Sequence, residues 1–466
     1  METFKNILLI LAVILSFNVM IFVHELGHFL AARWRGLKID KFQVWFGKPI
    51  WSKTINGVQY GLGWIPAGGF VALPQLAPME TIEGKSESDE PLPPISPLDK
   101  IIVAIAGPIF SLGLALAIGL AVWGLGKPQD IIHSTQIGYI KKDSPAEKAG
   151  FQLGDKILAI NGKPMIGFMG GLDCITENIV LSDGPEIVFT IQRDGENEAR
   201  TIVSSFETQP TKWFERRALR QVGISYTNPA TVDKLLPHSP AEKAGLLKGD
   251  RVIAVDSKKV WSTPQISQII ESKNYQPVTA TVQRGESITD ITLQPAKPLT
   301  PADEKPMLGV LWNTEGILDS HIVYPNPVKQ CKDSVKMMVA TIGALISPSS
   351  SIGVDQLSGP ISIAKAKYDL LNTDADGWRR LLAFLVLINV NLAIFNMLPF
   401  PVLDGGHTTL AIMEWVARRP VKARILEYVQ SACALLLISL FLYITSKDIG
   451  GFFGPKEKTE KVTFAP

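Results

Sequence analysis

The sequence predicts a polytopic α-helical membrane protein of four spans, carrying two inserted β-rich domains and a membrane-associated β-hairpin. Three observations predict it. The 466 residues are 46% hydrophobic with a mean hydropathy of +0.18, and the apolar residues gather in four runs. One seven-residue segment occurs twice between the second and third runs, and a glycine-rich aromatic stretch follows the first. A bilayer core about 30 Å thick takes roughly 20 helical residues to cross, a length each run meets.

The first span, residues 1–33, is uncharged over 7–23 and then continues as His24-Glu25-Leu26-Gly27-His28. A removable signal peptide would keep its apolar region clean, so this polar cluster argues for a retained span. The second span (100–126) and third span (380–405) are uncharged over 101–126 and 381–403, and the fourth (425–446) over 428–446. Residues 337–354 are also uncharged, but Ser347-Pro348-Ser349-Ser350-Ser351 suits a bilayer helix poorly. They are expected to form a surface or re-entrant part of the segment 311–379. Arg33, Arg35, Lys38, Lys41, Lys48 and Lys53 follow the first span, and Arg418, Arg419, Lys422 and Arg424 follow the third. By the positive-inside rule both connections are cytoplasmic, with residues 127–380 and the C-terminal tail on the other side.

Between the first two spans, residues 54–73 hold Gly57, Gly61, Gly63, Gly68 and Gly69 among aromatic and aliphatic side chains, and read as a β-hairpin or sheet near the membrane. Residues 74–99 are proline-rich with acidic Glu87, Asp89 and Glu90, and read as a mobile cytoplasmic linker. Ser144-Pro-Ala-Glu-Lys-Ala-Gly150 recurs as Ser239-Pro-Ala-Glu-Lys-Ala-Gly245, followed by Gly154-Asp155 and Gly249-Asp250. Each copy leads into an apolar strand and a turn, so residues 127–221 and 222–310 are two copies of one β-rich domain. They resemble the circularly permuted PDZ domain, which binds extended peptides by strand addition, so peptide ligands are candidate partners.

A net charge of +2, with no basic run among aromatics and no phosphate loop, excludes nucleic acid as a partner. Cys174, Cys331 and Cys433 are too few and too scattered for a disulfide framework or a cysteine metal site, and read as buried thiols.

His24 and His28 stand four apart, roughly 400° and about 6 Å along a helix, so both imidazoles face one way, as two zinc ligands require. Glu25 lies beside them as a general base that need not bind metal. Ionisable groups at membrane depth cost a few kcal/mol each unless a metal or polar cavity satisfies them. A catalytic zinc has three protein ligands, and Asp404 and His407 are the other candidates at that depth. They close the third span in Asn396-Met-Leu-Pro399-Phe-Pro401-Val-Leu403-Asp404-Gly405-Gly406-His407, where prolines and glycines oppose a regular helix. Asp404 is the better ligand, since an unwound backbone can turn its carboxylate inward. His407 reads as a solvated side chain outside the site.

With these motifs in their order, together with Ala106-Gly107-Pro108 and Ser358-Gly359-Pro360-Ile-Ser-Ile-Ala, nearly the whole chain resembles the site-2 proteases, intramembrane zinc metalloproteases, and most closely the bacterial regulators of envelope stress. The resemblance implies one zinc held by His24, His28 and Asp404, with Glu25 as general base. It implies that Asn396 holds the substrate backbone and that the hairpin, with Gly68 and Gly69, pairs with substrate beside the Pro399 turn. Family members often carry Asn three residues after the Gly-Pro, where this chain has Ser111. The implied substrates are single-span membrane proteins, an anti-sigma factor or a remnant signal peptide, cut within the lipid bilayer of the bacterial inner membrane. Two readings compete: a catalytically silent PDZ scaffold, and a metalloprotease of soluble polypeptides. All four chemical residues are present, against the first, and the third ligand is distant in sequence, against the second.

Overall fold

In chain order the membrane unit of the computed structural model comprises helix α1 (Glu2–Trp34), strands β1 (Lys41–Ile55) and β2 (Val58–Ala72), and helices α2 (Pro97–Leu125), α3 (Pro327–Ile346), α4 (Pro360–Thr373), α5 (Gly377–Asn396), α6 (Asp404–Ala417) and α7 (Ala423–Phe453). The structure describes residues 2–75, 95–212, 214–300, 305–313, 318–419, 423–453 and 462–465. Glu87, Asp89 and Glu90 of the expected linker lie outside them. Among the described residues four helices are long and apolar enough to cross a membrane: α1, α2, α5 and Leu426–Gly450 of α7.

Helix α2 is the centre of this unit, packed on α1, α5 and α6. Its start is written in the sequence: Ser96 caps the Asp99 N–H, and Pro97 occupies the first turn, where its missing N–H is harmless. Gly27 lets α1 approach closely, since a Cβ there would stand 2.5 Å from the Ala106 carbonyl oxygen. The same end of the bundle is tied by Arg35 to Asp99 at 2.5 Å and by Lys100 to Glu414 at 2.8 Å. At the other end of α4, the Asp448 carboxylate accepts from the Ser362 N–H at 2.9 Å and hydroxyl at 2.8 Å, which accounts for the Ser-Gly-Pro motif as a helix start that docks on α7.

The third span differs from its expected extent of 380–405. Helix α5 stops at Asn396, because Pro399 and Pro401 supply no N–H to continue it, and a turn carries the chain to a new helix, α6, that begins at Asp404. A Cβ on Gly405 or Gly406 would stand 2.2 Å from the Met397 or 2.0 Å from the Phe400 carbonyl oxygen, so only glycine lets α6 start against that turn.

The glycine-rich stretch is half of a larger sheet. Residues 41–44 pair with 59–62 on one side and with 69–72 on the other, while 51–55 pair with 58–62. The sheet therefore runs 51–55, 58–62, 41–44, 69–72, and residues 69–72 form an edge. A bulge at residues 45–47 separates the two arms of β1. It is held by the Gln43 amide, which donates to the Trp45 and Gly47 carbonyls at 2.9 and 2.8 Å, and by the Trp45 indole, which donates to Asn18 of α1. Trp45 itself has φ +69°, a conformation a bulky side chain adopts only when its surroundings enforce it.

The second unit contains the two β-rich repeats, and the duplicated segment is a duplicated lock. Ser144 and Ser239 cap the Glu147 and Glu242 N–H groups, and those glutamates accept the Asp143 and His238 N–H groups at 2.6 Å. Asp155 takes a two-pronged bond from Arg193, and Asp250 takes the same from Arg284. Arg284 holds the Asp250 carboxyl below the ordinary carboxylate range. The strands of the second repeat order as 287–293, 278–284, 251–255, 230–235, 310–312. Buried Cys174 has its thiol pushed up to about 11 chiefly by desolvation, in keeping with an inert core thiol. The uncharged stretch 337–354 is helical only to Ile346. The Ser347 and Ser349 hydroxyls then donate to Asp183 of the first repeat, and Arg220 donates to the Ser351 hydroxyl at 2.8 Å. This is a segment laid on the repeat surface.

Candidate metal centre

Helix α1 carries His24 and His28 on the face that meets α2, and α6 presents Asp404 from its first turn. Their three donor atoms converge: His24 Nε2 lies 3.3 Å from His28 Nε2 and 3.2 Å from Asp404 Oδ2, and His28 Nε2 lies 3.4 Å from Asp404 Oδ1.

The opposite nitrogens explain what these contacts are. His28 Nδ1 lies 2.8 Å from the Val103 carbonyl, which can only accept, so the ring proton is on Nδ1 and Nε2 offers a lone pair. His24 Nδ1 lies 3.0 Å from the hydroxyl of Ser111, which has no exposed surface and can accept in the same way. Asp404 Oδ2 is enclosed and makes no hydrogen bond despite its distance to His24. With both ring protons on the outer nitrogens, the two imidazoles and the carboxylate turn lone pairs toward one point. Ligands at about 2.0–2.1 Å around a tetrahedral zinc stand roughly 3.3 Å apart, which is the spacing observed. The residues fit zinc, with the outer ring nitrogens held as such ligands require.

The face of α2 that completes this arrangement is Val103, Gly107 and Ser111, spaced one helical turn apart. A Cβ on Gly107 would stand 2.2 Å from His28 Nε2 and 2.9 Å from His24 Cε1, so glycine is the residue that admits both imidazoles. The four-residue spacing of Val103, Gly107 and Ser111 is the signal of this face in the sequence. Replacing Ser111 by Ala is expected to lower zinc affinity 10–100-fold, measured against a competing chelator, because His24 loses the partner that fixes its ring. Unaltered affinity would show that Ser111 does not orient His24.

A cavity of about 360 Å³ opens on these atoms, lined also by Glu25, Asn396, His407, Phe46 and the edge residues Gly69, Phe70 and Val71. Glu25 is half-buried, and a Cβ on Gly69 would lie 3.3 Å from its Cγ. Asn396 brings its amide nitrogen 3.1 Å from His24 Nε2, at the last residue of α5. His407, expected to be solvated and outside the site, instead lies in the cavity wall one turn beyond Asp404. Gly68 and Pro399 are not among the lining residues. Gly68, at φ +70°, faces the Phe46 ring, and Pro399 is exposed in the turn whose break it causes.

The profile of peptidase family M50 matches residues 12–440. A Neisseria meningitidis protein provisionally named a zinc metalloprotease is 29% identical over 89% of this chain and 93% of its own. A Xylella fastidiosa protein with the same provisional name is 30% identical over 92% and 96%. The regulator of sigma-E protease RseP of Escherichia coli is 27% identical over 92% and 95%.

Proposed function

This chain belongs to peptidase family M50 and is a zinc metalloprotease, and on that premise we propose that it hydrolyses a peptide bond in or beside the transmembrane segment of single-span proteins. The observation that carries this reading is the convergence of Asp404 on His24 and His28, which with Glu25 stand on a helix apolar enough to cross a membrane.

His24, His28 and Asp404 would hold the zinc, which would supply Lewis acidity to the scissile carbonyl and to water. Glu25 takes a proton from the attacking water as the carbon–oxygen bond forms, and returns it to the leaving nitrogen as the carbon–nitrogen bond breaks. A transmembrane helix hides its carbonyls in its own hydrogen bonds, so a substrate must unwind before it is cut. The edge at residues 69–72 offers backbone groups to an extended strand, and the Asn396 amide offers a further donor.

In the proposed setting, the bacterial inner membrane, the cations after the first and third spans support a metal end facing the cytoplasm and PDZ-like repeats in the periplasm. The likeness to a regulator of sigma-E protease supports an anti-sigma factor or remnant signal peptide as the substrate class. The test is reconstitution with zinc in vesicles containing a single-span protein. Products cut inside or within a few residues of the span are expected, whereas cleavage restricted to soluble polypeptides would overturn the assignment.

A further inference from the structure

Residues 462–465 lie on the second repeat, far along the chain from the strands that build it. The Thr463 N–H donates to the Thr300 carbonyl at 2.9 Å, and the Leu299 N–H donates to the Thr463 carbonyl at 2.8 Å, which makes an antiparallel bridge. Phe464 is 6% exposed, with its ring against Gly309, where a Cβ would stand 2.7 Å from Cε2. Lys243 Nζ donates to the Ala465 carbonyl at 3.2 Å. Val462-Thr463-Phe464 is a β-branched and aromatic run, suited to adding a short strand.

We propose that the second repeat carries a peptide-docking surface at residues 299–300, with a seat for an aromatic ring at Gly309, and that this chain's own residues 462–465 are its occupant. The surface fits an extended segment with a β-branched residue followed by an aromatic one. It is separate from the cleft along helix Thr263–Lys273, whose lining residues, Tyr139, Ser267 and Trp312 among them, include none that seat the tail. Both can therefore be filled together. Covalent attachment raises the effective concentration of the tail at this surface, so one bridge and one buried ring suffice to hold it. Docking closes residues 301–462 into a loop that contains the last two spans, and requires an even number of crossings between the repeat and the tail.

The test is a pair of cysteines, Thr300→Cys with Thr463→Cys, in the full chain in native membranes, oxidised mildly and mapped by peptide analysis. An intramolecular disulfide is expected, because residues opposed across an antiparallel bridge lie within disulfide reach. Adding Phe464→Asp is expected to slow its formation at least ~10-fold, since a charge replaces the seated ring. No disulfide, a disulfide joining two chains, or a rate indifferent to Phe464→Asp would each overturn the proposal. The variants leave the metal centre and Glu25 untouched, so zinc content and proteolysis report separately on the catalytic reading.

Discussion

Glu25→Gln is expected to lower kcat by roughly 10²–10⁴-fold while zinc stays bound at about one per chain. The amide preserves size and fills the same part of the cavity, but it cannot take a proton from water or hand one to the leaving nitrogen. The proposed metal ligands are elsewhere, His24, His28 and Asp404. Metal analysis and turnover of a single-span substrate, measured on one preparation, separate the two effects. Turnover within a few-fold of the parent would remove Glu25 from the chemistry, and loss of zinc would make it a ligand or a support of one.

Asp404→Ala is expected to abolish both zinc binding at ordinary concentrations and proteolysis. Losing an outer partner of a ligand lowers metal affinity 10–100-fold, and losing a ligand itself is expected to exceed that. Two imidazoles alone leave the site short of the three protein ligands a catalytic zinc needs. The fold has little reason to fail with it, because Gly405 and Gly406 still fit against the turn and Leu403 still accepts the Gly406 N–H at 2.9 Å. Zinc retained at full stoichiometry in a folded variant would remove Asp404 from the centre.

The convergence of His24 and His28 was legible in the sequence, because helix periodicity alone puts residues four apart on one face. Asp404 was legible as a candidate to join them, although its backbone was not. The prolines announced a break, but whether the chain would unravel or begin a second helix depended on Gly405 and Gly406 packing against carbonyls of the turn, a tertiary fact. The repeats were read from identity of sequence, yet Arg193 and Arg284, which hold the two aspartates, lie outside the duplicated segment and became visible only in space. The sheet was the least legible part. Residues 41–44 pair with partners on both sides, and nothing in alternation or turn residues reveals that a strand is central.

The edge at residues 69–72 has a further consequence. An unpaired strand edge on a soluble protein is an invitation to stack with its own kind, and such proteins shield it with charge, proline or a covering loop. Here the outermost strand lines the cavity beside α1, with the Phe46 and Phe70 rings stacked nearby at 6.3 Å. Gly69, Phe70 and Val71 share that cavity with His24, His28 and Asp404, so a strand added to this edge would lie beside the proposed metal ligands rather than on the outer surface of the sheet.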